Sequence, residues 1–141
     1  GALGTIIQNI DIITWFNQVY TISSLGILIP FLIAATHKTA QGSSTVAIIT
    51  TASIVAPMIS VFGLDNEFGK VLVVLSIGVG SMTVSHANDS YFWIVSQLGG
   101  LNVKTAYKTH TIGTLIQGLV GIFCILIVYN FLKYFELIFS I

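Results

Sequence analysis

The chain has 141 residues, of which 55% are hydrophobic and only 7% charged, with a mean hydropathy of +0.95. A soluble domain carries about 25% charged residues, so the composition speaks for an integral membrane protein. Five lysines and five acids, with no arginine, sum to zero net charge, which leaves no basic face for nucleic acid.

The chain opens on Gly1-Ala2-Leu3-Gly4, without an initiator methionine or a basic leader. That is not the pattern of a secretory signal, and it is expected of a piece of something longer. Residues 1–18 mix Leu3, Ile6, Ile7 and Ile10 with Gln8, Asn9 and Asp11. They read as an interfacial amphipathic helix or the stump of a longer one. Trp15, Phe16 and Tyr20 have the character of interface anchors.

Residues 19–36 are strongly apolar and contain Gly26 and Pro30. Pro30 removes a backbone donor and is expected to kink a helix near its middle. His37-Lys38 ends the segment; the pair is placed to attract an anion, but reads first as interfacial, solvated groups, as does His110, and apolar character resumes from Val46 to Phe62. Two readings fit residues 19–63: two full spans with a short loop, or a re-entrant hairpin with Gln41, Gly42, Ser43, Ser44 and Thr45 at its tip. Any of Ser43, Ser44 or Thr45 can cap the second arm. A helix N-terminus at that point favours an anion through its orphan N–H groups and its dipole.

Residues 63–70 hold Asp65, Glu67 and Lys70 and read as a solvated turn. The apolar segment from 71 to about 98 is some 28 residues long. As one helix it measures about 42 Å, against a hydrocarbon core of about 30 Å. Inside it lie Gly78, Gly80, Ser81, Thr83, Ser85, His86, Asn88, Asp89 and Ser90. Polar and ionisable groups at membrane depth are expensive and mark substrate or ion pathways. The segment therefore reads as two half-helices joined by an unwound stretch, of the kind tolerated only where it lines a cavity or is buried in protein.

Lys104 and Lys108 follow in a loop, and residues 111–132 form a long apolar span. Gly113, Gly118 and Gly121 give that span a small-residue face for close packing. Whichever reading holds for 19–63, the two lysines face the side opposite the C-terminus. The positive-inside rule puts them in the cytoplasm. Cys124, alone in an apolar run, reads as a small hydrophobe. No metal cluster, nucleophile–base pair or nucleotide loop is present, so no cofactor or enzyme chemistry is expected.

Two stretches carry a resemblance. Residues 41–47, Gln-Gly-Ser-Ser-Thr-Val-Ala, and residues 80–93, Gly-Ser-Met-Thr-Val-Ser-His-Ala-Asn-Asp-Ser-Tyr-Phe-Trp, closely resemble the C-terminal part of the gluconate permease (GntP) family. Ser96-Gln97 and Tyr107-Lys108-Thr109 fit as well. The resemblance implies proton-driven uptake of gluconate or a related sugar acid across the bacterial cytoplasmic membrane. It also implies the fold of the ion-transporter superfamily, in which two inverted repeats each carry a re-entrant hairpin and a discontinuous helix. The chain is then one all-α membrane domain holding the C-terminal repeat: hairpin 19–63, broken helix 70–98 and last span 110–132. Its partners are the bilayer, the sugar acid, protons, a preceding repeat absent from this chain and, as a further option, copies of itself.

Under that reading Gln41, Gly42, Ser43, Ser44 and Thr45 form one side of the substrate site, suited to a carboxylate. Ser85, Asn88 and Ser90 suit the row of hydroxyls, since an amide both donates and accepts. Asp89 is the expected proton carrier and His86 the second choice. The competing roles are local bonds to the helix backbone for each hydroxyl and a helix cap for Asp89. The competing function is a non-transporting membrane remnant.

Overall fold

The computed structural model describes residues 26–139, with side chains to residue 135. The amphipathic stretch and aromatic anchors of residues 1–20 lie outside the described residues, as does the start of the hairpin. All regular structure among the described residues is helical.

Helix α1 spans Leu28–Gln41 and α2 spans Ser44–Val55. Pro30 lies in the first turn of α1, where the missing donor has no helical acceptor to lose. The expected mid-helix kink is therefore not needed. Gly42 ends α1 at φ 81°, a left-handed conformation that glycine adopts without strain, and its N–H bonds the Lys38 carbonyl. Ser43 then caps α2 by accepting from the Val46 N–H at 3.3 Å. Two residues thus reverse the chain into a helical hairpin. Its arms measure about 21 Å and 18 Å at the standard helical rise. Pro57 closes α2 in a 3-10 turn over Ala56–Met58.

Helix α3, Glu67–Ser81, starts inside the polar turn expected over residues 63–70. Asn66 caps it by accepting from the Gly69 N–H at 2.6 Å. Gly78 and Gly80 do not break α3; it runs through both. Gly80 serves contact instead: a Cβ there would lie 2.5 Å from the Phe31 carbonyl of α1. Ser76 ties the same two helices by donating to the Ile27 carbonyl at 2.7 Å. Phe31, Ala34, Val55, Leu72, Val73, Ile77 and Ile122 fill the core between hairpin, α3 and the last helix.

The interruption comes over residues 82–89, after which α4 runs Ser90–Leu98. Helix α5, Val103–Ala106, continues through a π-helical turn, Tyr107–Thr111, into α6, Ile112–Phe139. Residues Val103–Phe135 thus form one helix long and apolar enough to cross a membrane. The expected loop at Lys104 and Lys108 is helical because Asn102 caps α5, accepting from the Thr105 N–H at 2.9 Å. The glycine face of the span packs as expected at two of its three positions. A Cβ on Gly118 would collide with Thr83, and one on Gly121 would lie 2.6 Å from Val79. Gly113 faces open space.

Candidate substrate site at the hairpin tip and the helix break

The hairpin tip and the break meet. Gly42 lies so close to the Asn88 backbone that a Cβ there would clash with the Asn88 carbonyl. One carbonyl of the last turn of α1, that of Thr39, receives two side chains from the break. Asn88 Nδ2 donates to it at 2.9 Å, and His86 Nε2 lies 3.0 Å from it. Helix C-termini leave such carbonyls without helical partners, and the break supplies them.

Beneath this contact lies a buried ion pair. Lys38 Nζ is 2.6 Å from Asp89 Oδ2, with the two side chains 2% and 7% exposed. Lys38 also donates to the Gly42 carbonyl at 2.9 Å. Asp89 caps α4 through the Tyr91 N–H at 3.0 Å and accepts from Ser85 Oγ at 2.5 Å. Removing one partner of a buried pair leaves an uncompensated charge, at a cost of about 3–5 kcal/mol. The pair therefore holds α1, the break and α4 in register.

Ser85 is the centre of the break. Its N–H donates to Thr114 Oγ1 at 3.0 Å, and its carbonyl accepts from Thr111 Oγ1 at 2.7 Å. His110 Nε2 lies 3.1 Å from its hydroxyl. Thr111 and Thr114 thus do for the unwound backbone what helical neighbours would do. The π-helical turn belongs to the same construction. It presents Tyr107 to the Ala87 N–H at 3.4 Å, with His110 one turn further on. Just before Ser85, Val84 holds φ 54°, a strained conformation for a β-branched residue, costing about 1–3 kcal/mol.

A cleft of about 700 Å³ opens over this network, within the usual range of small-molecule sites, about 300–1,000 Å³. Its lining includes Lys38, Ser44, Ser85, Asp89, His110, Thr114 and Gln117. Two helix N-termini reach it, α2 through Ser44 and α4 through Asp89 and Tyr91. Together with the Lys38 ammonium they make the cleft suited to a carboxylate, while Ser, Thr and Gln side chains suit hydroxyl groups.

The expected site residues fall into three groups. Ser44, Ser85 and Asp89 line the cleft. Gly42, Asn88 and His86 form the joint between tip and break. Gln41 approaches the Ser43 carbonyl at 3.5 Å, Ser43 caps α2, and Thr45 and Ser90 are exposed outside the cleft lining. His86 and Asp89 do not share a helical face, because the backbone between them is not helical.

Two contributors read first as solvated groups outside the site. Lys38, read as solvated, is buried; His110, read the same way, touches Ser85. A signal for each is present in the chain. Phe31, Ala34 and Lys38 are spaced by three and four, which puts the lysine on the buried face of α1. Tyr107, His110, Thr111 and Thr114 form a polar stripe at the head of the last helix.

A family model for GntP family permeases matches residues 1–132. The chain belongs to the GntP permease family. It is 42% identical over 102 residues to the gluconate permease of Pseudomonas aeruginosa, covering 72% of this chain and 22% of the relative. It is 43% identical over 91 residues to the inner membrane permease YgbN of Escherichia coli, covering 64% and 19%. The Gnt-II system L-idonate transporter of the same organism matches at 35% over 129 residues, covering 89% and 28%. The chain thus spans about a fifth to a quarter of the length of the curated relatives it matches. No solved structure matches it. This GntP permease chain is a bacterial membrane protein, and its family consists of permeases rather than enzymes.

Proposed function

We propose that this chain forms one side of the substrate pathway of a secondary active transporter that takes up gluconate or a related sugar acid together with protons. The observation that carries the reading is the cleft where tip and break meet, with a lysine and two helix N-termini at one end and hydroxyl and amide groups around it. Relatives named gluconate permease and L-idonate transporter support the substrate class. In this reading α1 and α2 are a re-entrant hairpin, since arms of about 21 Å and 18 Å fall short of a core of about 30 Å. Helices α3 and α4 are the halves of a discontinuous span. Ser44 and the amides behind it lie with Lys38 at the carboxylate end, Ser85 and Thr114 take hydroxyls, and Asp89 carries the proton. A matching hairpin and broken helix, from the part of the relatives this chain does not span, complete the site in the inverted-repeat pattern.

The test is uptake of radiolabelled gluconate by membrane vesicles carrying the protein, under an imposed proton gradient. Accumulation that collapses with an uncoupler is expected. Accumulation indifferent to the gradient would remove the proton from the scheme. Cysteine placed at Ser43 is expected to react with a polar maleimide from one side of the membrane only, and more slowly in the presence of gluconate. Reaction at the rate of a solvated loop would rule out a re-entrant tip.

A further inference from the structure

Asp89 occupies the place in the cleft where an incoming carboxylate is best received. It sits on the Lys38 ammonium, at the N-terminus of α4, and takes the hydroxyl of Ser85. An internal carboxylate in that place is a competitor for any acidic ligand. We propose that Lys38 is the receptor for the substrate carboxylate, and that it exchanges Asp89 for the substrate as Asp89 takes up one proton. This rests on the sugar-acid reading above and assigns its site a charge balance.

Counting charges decides the point. Lys38 is buried and carries one positive charge, and Asp89 offsets it. A second carboxylate brought beside them leaves a net negative charge away from water, which low-dielectric surroundings penalise heavily. Two remedies exist: leave the substrate unbound, or neutralise one carboxylate. On binding, an O–H bond forms at Asp89, the proton comes from solution, and the ammonium–Asp89 pair becomes an ammonium–substrate pair. No other covalent bond changes. One anion and one proton enter together, so the loaded site has the same net charge as the empty one.

The surroundings leave these two groups in charge of the exchange. From the π-helical turn His110 faces Ser85, and Tyr107 faces the Ala87 N–H. Tyr91 of α4 lines the cleft, and its ring stands edge-on to His110. His86 turns to the Thr39 carbonyl instead. Among the described residues Asp89 is the one acid lining the cleft and Lys38 the one ammonium. Lys38 directs its ammonium to the Gly42 carbonyl and Asp89 Oδ2, and an ammonium turns freely between acceptors. The neutral state of Asp89 keeps its hydrogen bond by donating to Ser85 in place of accepting from it.

The experiment follows protons and gluconate in the same preparation. Purified permease holding this chain together with the hairpin and broken helix that complete its site is mixed with gluconate in weakly buffered detergent solution and read with a pH indicator. About one proton taken up per gluconate bound is expected; binding without proton uptake would overturn the proposal. Asp89→Asn keeps the shape of the protonated acid. It is expected to bind gluconate without proton uptake and to catalyse gluconate exchange across vesicles at a rate independent of pH, while accumulation driven by a proton gradient is lost. Lys38→Met is expected to weaken gluconate binding about tenfold to hundredfold, the worth of a charge-assisted hydrogen bond. Lys38→Met at wild-type affinity, or Asp89→Asn accumulating with wild-type pH dependence, would overturn it. The double variant keeps the buried site neutral, so it is expected to insert in wild-type amounts and to bind gluconate as weakly as Lys38→Met. Wild-type protein that neither binds nor moves gluconate or L-idonate would strike the sugar-acid reading itself, a result separate from any of these.

Discussion

Thr51 illustrates the residue scale outside the site. Its hydroxyl is fully buried on α2 and has no hydrogen-bond partner. A buried hydroxyl without a partner costs about 1–3 kcal/mol. Thr51→Val keeps the shape and removes the hydroxyl, so it is expected to raise resistance to thermal unfolding in detergent, with uptake unchanged. At the same scale Ser85 and Asp89 stood out in the sequence because such groups are rare in an apolar run, while Ser44 came with the family resemblance; all three line the cleft. Lys38 was harder. Its sequence neighbours His37 and Thr39 are polar, and its partner lies 51 positions away. Burial is set by the packing of α1 on α3, and local composition reads the lysine as solvated.

At the scale of elements, glycines decide how closely helices and tip approach. Gly42 has two reasons to be glycine, a left-handed backbone and contact with Asn88. Gly42→Ala is expected to cost about 1–2 kcal/mol from the backbone alone. It should also push the tip away from the break, so gluconate uptake is expected to fall far more than the amount of protein in the membrane. Gly118→Val should separate α6 from Thr83, while Gly113→Ala, facing open space, should be silent. Comparing thermal stability of the two variants checks this. Regular helix is interrupted over residues 82–89. The glycines suggested a break at 78–80 because glycine weakens helices. Here the weakness is offset by the contact that Gly80 permits with Phe31. The π-helical turn was not legible, since it depends on what Tyr107 and His110 meet across the fold.

Among the described residues, polar groups are buried alongside the apolar core, and large apolar side chains face outward. Lys38, Thr51, Ser76, Ser81, Ser85, Asp89 and Ser96 are buried, while Ile116, Leu119, Val120, Phe123, Ile127 and Phe131 of α6 are exposed. In water that distribution would aggregate; against lipid it is favourable, since tails cover the apolar faces and interior polar groups pair with each other. Leu119→Asp is expected to oppose insertion of α6 by about 3 kcal/mol, seen as a loss of membrane-bound protein, whereas Leu119→Ala should insert normally. Composition alone announced the membrane. It did not announce which polar groups pair across the interior, because each pair joins elements distant in sequence.

The hydroxyl of Ser85 has one hydrogen and two neighbours that want it. While it points to Asp89, the His110 nitrogen facing Ser85 must bring a hydrogen of its own. Once Asp89 holds a proton and donates it to Ser85, the hydroxyl is released to point the other way, and that nitrogen can stand bare. On the proton exchange proposed above, the hydrogen of the imidazole is thus tied to the state of a carboxyl group on the far side of the serine.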